Sequence, residues 1–351
     1  MRGTVKTLMP GPRDLLNRYK LRLRRKRLLW RAVRKRHEFK CIERKTGSIK
    51  ANNILLFACL RNEMLRLPFF LAHYRRLGVD QFLLVDNGSD DGSVAFLQDQ
   101  PDVSLWSANA GYKAARFGMD WLTALQWKHG SGHWCLTVDI DELLIYPDWQ
   151  NRDLQKLTHE LASNGLKSMG ALMLDLYPKG PVGDHVYESG DDPTTLLSWF
   201  DAYGYWAQLQ PKMDNLWVQG GARARLFFAK TPERAPTLNK IPLIHWQRPY
   251  TYVNSTHNAL PVELNRVYDE QGSTKPNGVL LHTKFLPDAP DRARREKKRG
   301  EHFADANLYD EYYTSLAENP DLWCEGSLRY KGWEQLVSLR LLSCGDNAAP
   351  R

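Results

Sequence analysis

The chain has 351 residues, 42% of them apolar and 11% aromatic, which suits one large α/β domain or two small ones and excludes wholesale disorder. Its net charge of +9 is uneven: residues 1–50 hold 18 Lys/Arg and 3 Asp/Glu, a surplus of 15, and the rest hold 31 and 37, a deficit of 6. The body is therefore mildly acidic, which argues against an enzyme of nucleic acids, whose site would carry positive charge of its own.

In chain order, residues 13–45 are predicted helical over much of their length, as part of a basic N-terminal arm, residues 1–50. Leu16, Tyr19, Leu23, Trp30 and Val33 fall near one face at 3.6-residue spacing, and Leu21 and Leu28 on the opposite side. Two readings follow: a helix on an anionic membrane surface, or a basic arm that is solvated or packed on the domain. From residue 54 the pattern becomes strand–helix alternation. NILLFACL (53–60) is a buried strand. Residues 64–77 form a helix that tolerates Pro68 in its first turn and stops at Gly78. QFLLVDNGS (81–89) is a strand entering a turn, VAFLQDQ (94–100) a short helix and VSLWS (103–107) a third strand. Residues 111–128 form an amphipathic helix, and WCLTV (134–138) is the fourth strand.

The alternation predicts a doubly wound, mostly parallel α/β sheet. Ligands of such sheets lie beyond the carboxyl ends of the strands. Three polar clusters converge there: Arg61-Asn62-Glu63, Asp86-Asn87 and Asp139-Ile140-Asp141-Glu142. The second half is less regular. GALMLDLYPKG (170–180), GGARARLFF (220–228), IPLIHW (241–246) and GVLLHTKFL (278–286) read as strands, which would put Arg223 and Arg225 on one face. The Trp/Tyr cluster at 199–206 could stack on a sugar or simply pack. The last residues, 291–351, read as helical.

No glycine-rich turn follows the first strand, so backbone amides cannot cradle a pyrophosphate there. A divalent cation on Asp139 and Asp141 would neutralise a diphosphate instead.

RNE (61–63), HYRRLG (73–78), DNGSDDG (86–92) and DIDE (139–142) together resemble family 2-type glycosyltransferases of the GT-A fold, in the bacterial branch with an RNE strand end. The match covers residues 54–145, with later blocks in 170–180, 220–228 and 280–286. The resemblance implies a GT-A domain over residues 51–290, with a nucleotide-binding half (51–150) and an acceptor half (151–290). It implies that Arg61, Asn62 and Glu63 lie near the nucleotide and that Asp86, beside Asn87, contacts base or ribose. Asp139 and Asp141 would hold Mn²⁺ or Mg²⁺ on the diphosphate of a nucleotide-sugar donor. Glu142 would orient the ligands or the sugar. A late histidine often completes the metal shell; His282 is the first choice, His257 the second and His245 the third. The acceptor base has no clear counterpart, and Asp175 and Asp214 are the candidates. A glycan or a lipid-linked or envelope polysaccharide is the expected acceptor.

Two other classes compete. LTVDIDELL also resembles the opening of haloacid-dehalogenase-type phosphatases, with Asp139 as nucleophile. Against it, three strand units precede the motif and Leu143 stands where Thr or Val belongs. A non-catalytic binder of membrane or nucleic acid would work through the basic arm alone. The five cysteines are odd in number and none is in CxxC spacing, so a reducing compartment is expected. With no run of 18 apolar residues and no apolar leader core, the expected location is cytoplasmic, either free or peripheral on the inner face of the membrane.

Overall fold

Six consecutive apolar residues, Leu55–Leu60, form a strand buried on both faces, the pattern of a sheet covered by helices on each side. The computed structural model describes residues 12–268, 275–299 and 310–345. Nine strands make the main sheet: β1 Phe39–Glu43, β2 Leu55–Leu60, β3 Gln81–Asp86, β4 Val103–Ala108, β5 Trp134–Thr137, β6 Glu142–Ile145, β7 Ser168–Asp175, β8 Asn239–His245 and β9 Gly278–His282. Their order is β1-β4-β3-β2-β5-β8-β7-β9-β6. The pairs β2–β3, β2–β5, β3–β4 and β7–β9 are parallel; β1–β4, β5–β8, β8–β7 and β9–β6 are antiparallel. Strands β2, β3, β4, β5, β7 and β9 thus point one way, and β1, β6 and β8 the other. The fold is α/β and Rossmann-like, with a mixed sheet.

Alternate side chains feed two cores, one per sheet face. Leu56, Ala58, Leu60, Phe82 and Leu84 meet α2 (Leu67–Arg76) and α5 (Leu154–Ser163). Leu55, Phe57, Leu83 and Val85 meet Met119, Trp121, Leu122 and Leu125 of α4 (Met119–Leu125). A short helix α3 (Ser93–Gln98) joins β3 to β4. Asp153 caps α5, its carboxylate accepting from the Lys156 amide at 2.8 Å.

Four expectations are corrected. The basic helix α1 spans Pro12–Lys35 and does not reach residue 45; Phe39–Glu43 instead adds an antiparallel edge strand to β4. As in the reading of an arm packed on the domain, Leu21 and Leu28 pack with Val253 and Leu260, and Arg31 Nε lies 2.6 Å from the buried Asp120, while the other stripe stays exposed. The helix expected over 111–128 is α-helical only at Met119–Leu125 and runs on as a π-helical turn, Gln126–Gly130. The third correction concerns GGARARLFF, which is a helix, α6 (Gly221–Phe227). It starts at Gly220 and Gly221, with φ of 133° and 67°, and a Cβ on Gly220 would stand 2.3 Å from the Gly204 carbonyl oxygen. The aromatic cluster mostly packs: Phe200 is buried, Trp199 meets Trp323 edge-on and the Tyr205 hydroxyl donates to the Asp201 carbonyl, although Tyr203 and Trp206 are exposed. After β9 come three further helices among the described residues, α7 (Ala289–Arg299), α8 (Asp310–Ala317) and α9 (Trp333–Ser338), and the end expected to be helical also holds a strand, Ser327–Arg329, paired with Trp199–Asp201.

Candidate functional site

Because β2, β3, β5, β7 and β9 run the same way, their carboxyl ends lie on one sheet edge. Arg61, Asp86, Asp139, Asp175 and His282 end or follow those strands. The antiparallel β6 and β8 begin at the same edge, which adds Glu142 and Lys240. Register aligns Asp175, His282 and Glu142 on the neighbouring strands β7, β9 and β6.

A continuous polar chain crosses this edge. His282 Nδ1 lies 2.6 Å from Asp175 Oδ1, and Arg223 Nε donates to Asp175 Oδ2 at 2.8 Å. On its other side His282 Nε2 is 3.3 Å from Asp141 Oδ2. Asp141 is fixed through its carbonyl, which accepts from the Thr283 amide at 2.7 Å. Burial would raise Asp175, but Arg223 and His282 overcome it and hold this carboxyl down to about 2. Asp141 is likewise depressed well below its usual range: burial opposes this, and His282 outweighs it. Burial disfavours charge on His282, yet Asp141 and Asp175 raise its pKa above the ordinary histidine value. With both oxygens bonded and only 4% of its surface exposed, Asp175 is closed to an acceptor and acts on His282.

Beside this chain, Lys240 bridges two acids. Its buried ammonium is 2.9 Å from Asp139 Oδ2 and 2.6 Å from Glu142 Oε1. Glu142 Oε2 also accepts from the Asp139 amide at 3.1 Å. Burial pushes Glu142 up to about 7, with Lys240 limiting a rise to which Asp139 and Asp141 add. Lys240 stays charged, because Asp139 and Glu142 more than offset its burial. The Asp139 side chain is 48% exposed, so it is the accessible carboxylate of this pair.

The other predicted residues frame a basic cleft. Arg61 Nη1 donates to the Asn87 carbonyl at 2.9 Å. Asn62, at a φ of 53°, accepts from the Asp90 amide at 2.8 Å. Asp86 is buried and shapes its own turn, accepting from the Gly88 amide at 3.0 Å and the Ser89 amide at 3.2 Å. Glu63 is buried and takes a two-pronged contact from Arg292 of α7, 2.8 Å at the Nη1–Oε2 arm. Asp288, just before α7, pairs with Arg66 at 2.9 Å, and Arg299 Nη2 donates to Asn87 Oδ1 at 2.5 Å. The RNE and DNGS segments therefore anchor α7 across the edge. Between them lies a cavity of about 380 Å³ lined by Arg61, Asn62, Asp90, Arg295 and Lys298 among others.

Asp214 and two of the histidines stand elsewhere. The Asp214 carboxylate is paired with Arg266 at a hairpin turn. His257 shares a neighbourhood with Lys240 and Asp139, but its Nδ1 is tied to the Asn239 carbonyl at 2.6 Å and burial lowers it to about 3. His245 ends the antiparallel β8 opposite Trp134 and so lies at the far edge of the sheet. Lys240 and Arg292 were missed from sequence, and Arg223, singled out there as a strand residue, instead reaches Asp175 from a helix. The only signal was a lysine and arginines directly flanking or inside apolar segments, where a buried cation demands a carboxylate.

The arrangement fits a divalent cation. The 3.3 Å between Asp141 Oδ2 and His282 Nε2 is close to the ~3 Å between adjacent ligands on a cation bound at ~2.1 Å. A carboxylate on Nδ1 is the partner a metal-binding imidazole commonly has. Among the described residues no three His, Cys, Asp or Glu are already gathered for a metal. A cation here would thus take Asp141 and His282 as protein donors, without the expected Asp139, whose Oδ2 is held by Lys240 at 2.9 Å, and fill its shell from water and phosphate oxygens, as Mg²⁺ usually does. No family model matches this sequence, and no curated protein matches it either.

Proposed function

We propose that this chain is a metal-dependent glycosyltransferase of GT-A type, moving a sugar from a nucleotide-sugar donor to a glycan or lipid-linked acceptor. The observation that carries the reading is the pairing of Asp141 with His282 Nε2, oriented by Asp175, next to a basic cleft on the same sheet edge.

Asp141 and His282 would hold Mn²⁺ or Mg²⁺, which supplies charge neutralisation for a departing nucleoside diphosphate. The chain's own residues do the rest. Asp175 accepts a hydrogen bond from Nδ1–H and leaves Nε2 turned toward Asp141; Arg223 keeps Asp175 ionised and in place. Lys240 fixes Glu142 as a buried orienting group and holds one oxygen of Asp139. The exposed part of Asp139 accepts a hydroxyl of the donor. Arg61, Arg295 and Lys298 line the cleft for phosphate.

A panel of nucleotide sugars with Mn²⁺ or Mg²⁺, scored for release of nucleoside diphosphate, tests the reading. Turnover with at least one donor, abolished by chelator, supports it. Metal-dependent hydrolysis of simple phosphate monoesters with no sugar released from any donor contradicts it.

A further inference from the structure

We infer that α1 is a two-faced helix, docked on the domain by one side and built to bind a surface of anionic lipids with the other. The docked side is Leu21, Leu28 and Ala32, all buried, with Arg31 held on Asp120. Asp120 is also held by Arg116, at 2.7 Å, so the helix is pinned by an ion-pair network as well as by apolar contact. Its other side is unusual. Leu15, Leu16, Tyr19, Leu23, Trp30 and Val33 are between 36% and 64% exposed. These are six of the twelve large apolar side chains left exposed among the described residues, and all six sit on this one helix.

Their placement is directional. At about 100° per residue, the six fall within one arc of about 100°, opposite Leu21, Leu28 and Ala32. Docking the helix therefore turns this stripe outward. Basic residues flank and interrupt it: Lys20, Arg22, Lys26, Arg27 and Arg34 are all exposed, and Arg34 lies over the Trp30 ring at 5.0 Å. Over Pro12–Lys35 there are eleven Lys/Arg and one acidic residue.

This combination selects its occupant. A second copy of the helix would bring eleven cations against eleven. A nucleic acid would match the charge but offers no apolar layer for Leu15, Leu16, Leu23 and Trp30. An anionic lipid surface answers both demands: acyl boundary for the stripe and phosphate headgroups for the flanking cations, whose stems reach outward. The helix lies on the surface and does not cross it, since no helix among the described residues is long and apolar enough to span a membrane. The N-terminal part of α1 touches the hairpin loop at Lys212, to which the Asn17 amide donates at 3.3 Å. From that loop Asn215 bonds to the His257 carbonyl, and His257 to Asn239, the neighbour of Lys240. Binding through α1 would bring this flank of the candidate site near the lipid surface. The inference stands on α1 alone and does not depend on sugar transfer.

The test is co-sedimentation of the full chain with vesicles of phosphatidylcholine, alone or with a third of phosphatidylglycerol. The expected result is binding to the mixed vesicles that weakens at least about tenfold on pure phosphatidylcholine and in high salt. The combined variant Leu16→Glu, Leu23→Glu, Trp30→Glu changes only exposed side chains. It should lose binding about tenfold or more while keeping its melting temperature. Unchanged binding by that variant, or no binding to the anionic vesicles, would overturn the proposal. So would self-association of the wild-type chain that the triple variant abolishes, or affinity for an oligonucleotide equal to that for anionic vesicles.

Discussion

His282 and Asp175 end two neighbouring parallel strands in register, and the imidazole Nδ1 stands 2.6 Å from the carboxylate. That contact settles which nitrogen faces Asp141, since Nδ1 is committed and Nε2 is left 3.3 Å from the acid. Replacing Asp175 by Asn keeps the shape but weakens the orientation. We expect Asp175→Asn to lower Mn²⁺ affinity by about 10–100-fold, the usual effect of losing such a partner. Electron paramagnetic resonance titration of free Mn²⁺ reads this directly; an unchanged affinity would separate His282 from the metal.

Lys240 is a stability determinant as much as a site residue. Its side chain is 4% exposed and Glu142 is 1% exposed, so Lys240→Met leaves a buried carboxylate without its cation. We expect a loss of about 3–5 kcal/mol in urea unfolding, the cost typical of breaking a buried pair from one side. Adding Glu142→Gln to Lys240→Met should restore a large part of it. If the double variant is as unstable as the sum of the single ones, the pair is not coupled as the geometry requires.

Acid should destabilise the fold through its buried histidines. Burial lowers His73 to about 4, with its Nε2 2.9 Å from the Leu144 carbonyl oxygen. In the unfolded chain the same group titrates near 6.5. Between those values the unfolded state binds more protons, so stability is full above about pH 6.5 and falls as pH drops toward 4. The shift corresponds to about 3 kcal/mol for His73 once both states are protonated. His257, lowered to about 3, acts in the same direction. Urea midpoints at pH 7 and pH 4.5 should differ, and His73→Gln should narrow the gap. An equal gap in wild type and variant would sink the assignment.

The anchoring of α7 is open to proteolysis. Arg292 binds Glu63 with two prongs, and Arg66 binds Asp288. Arg292→Gln should free the helix to open locally and speed tryptic cleavage within Ala289–Arg299 by about an order of magnitude. Glu63→Gln should do the same, and the double variant should add little more. Cleavage at the wild-type rate in both would mean that α7 is held by other contacts.

Much of the site was legible because parallel strands present their ends on one edge. RNE, DNGS and DID are strand ends in the sequence, and the fold gathers them with Asp175 and His282. What stayed hidden depends on tertiary partners. The alternation of Arg223 and Arg225 with small residues mimics a strand's period. On the helix α6, two residues apart is about 200°, so Arg223 reaches Asp175 and Arg225 reaches Asp201. Phe39–Glu43 has too little pattern of its own to stand out from the basic helix before it and is ordered by pairing with β4. Lys240 directly precedes the apolar run read as a strand, and only the register of β8 brings it to Asp139 and Glu142. Glu63, Asp86 and Asn87 end or follow β2 and β3, and their polar atoms are occupied by Arg292, a turn and Arg299 respectively.

The most direct measurement is calorimetric binding of nucleoside diphosphates to the wild-type chain, Asp141→Asn and His282→Ala, each with and without Mn²⁺. Binding of at least one nucleoside diphosphate should tighten with Mn²⁺ in the wild type. That gain should vanish in both variants, while their affinity without metal changes little. Equal tightening by Mn²⁺ in all three proteins, or tightening in none, would contradict a cation held between Asp141 and His282.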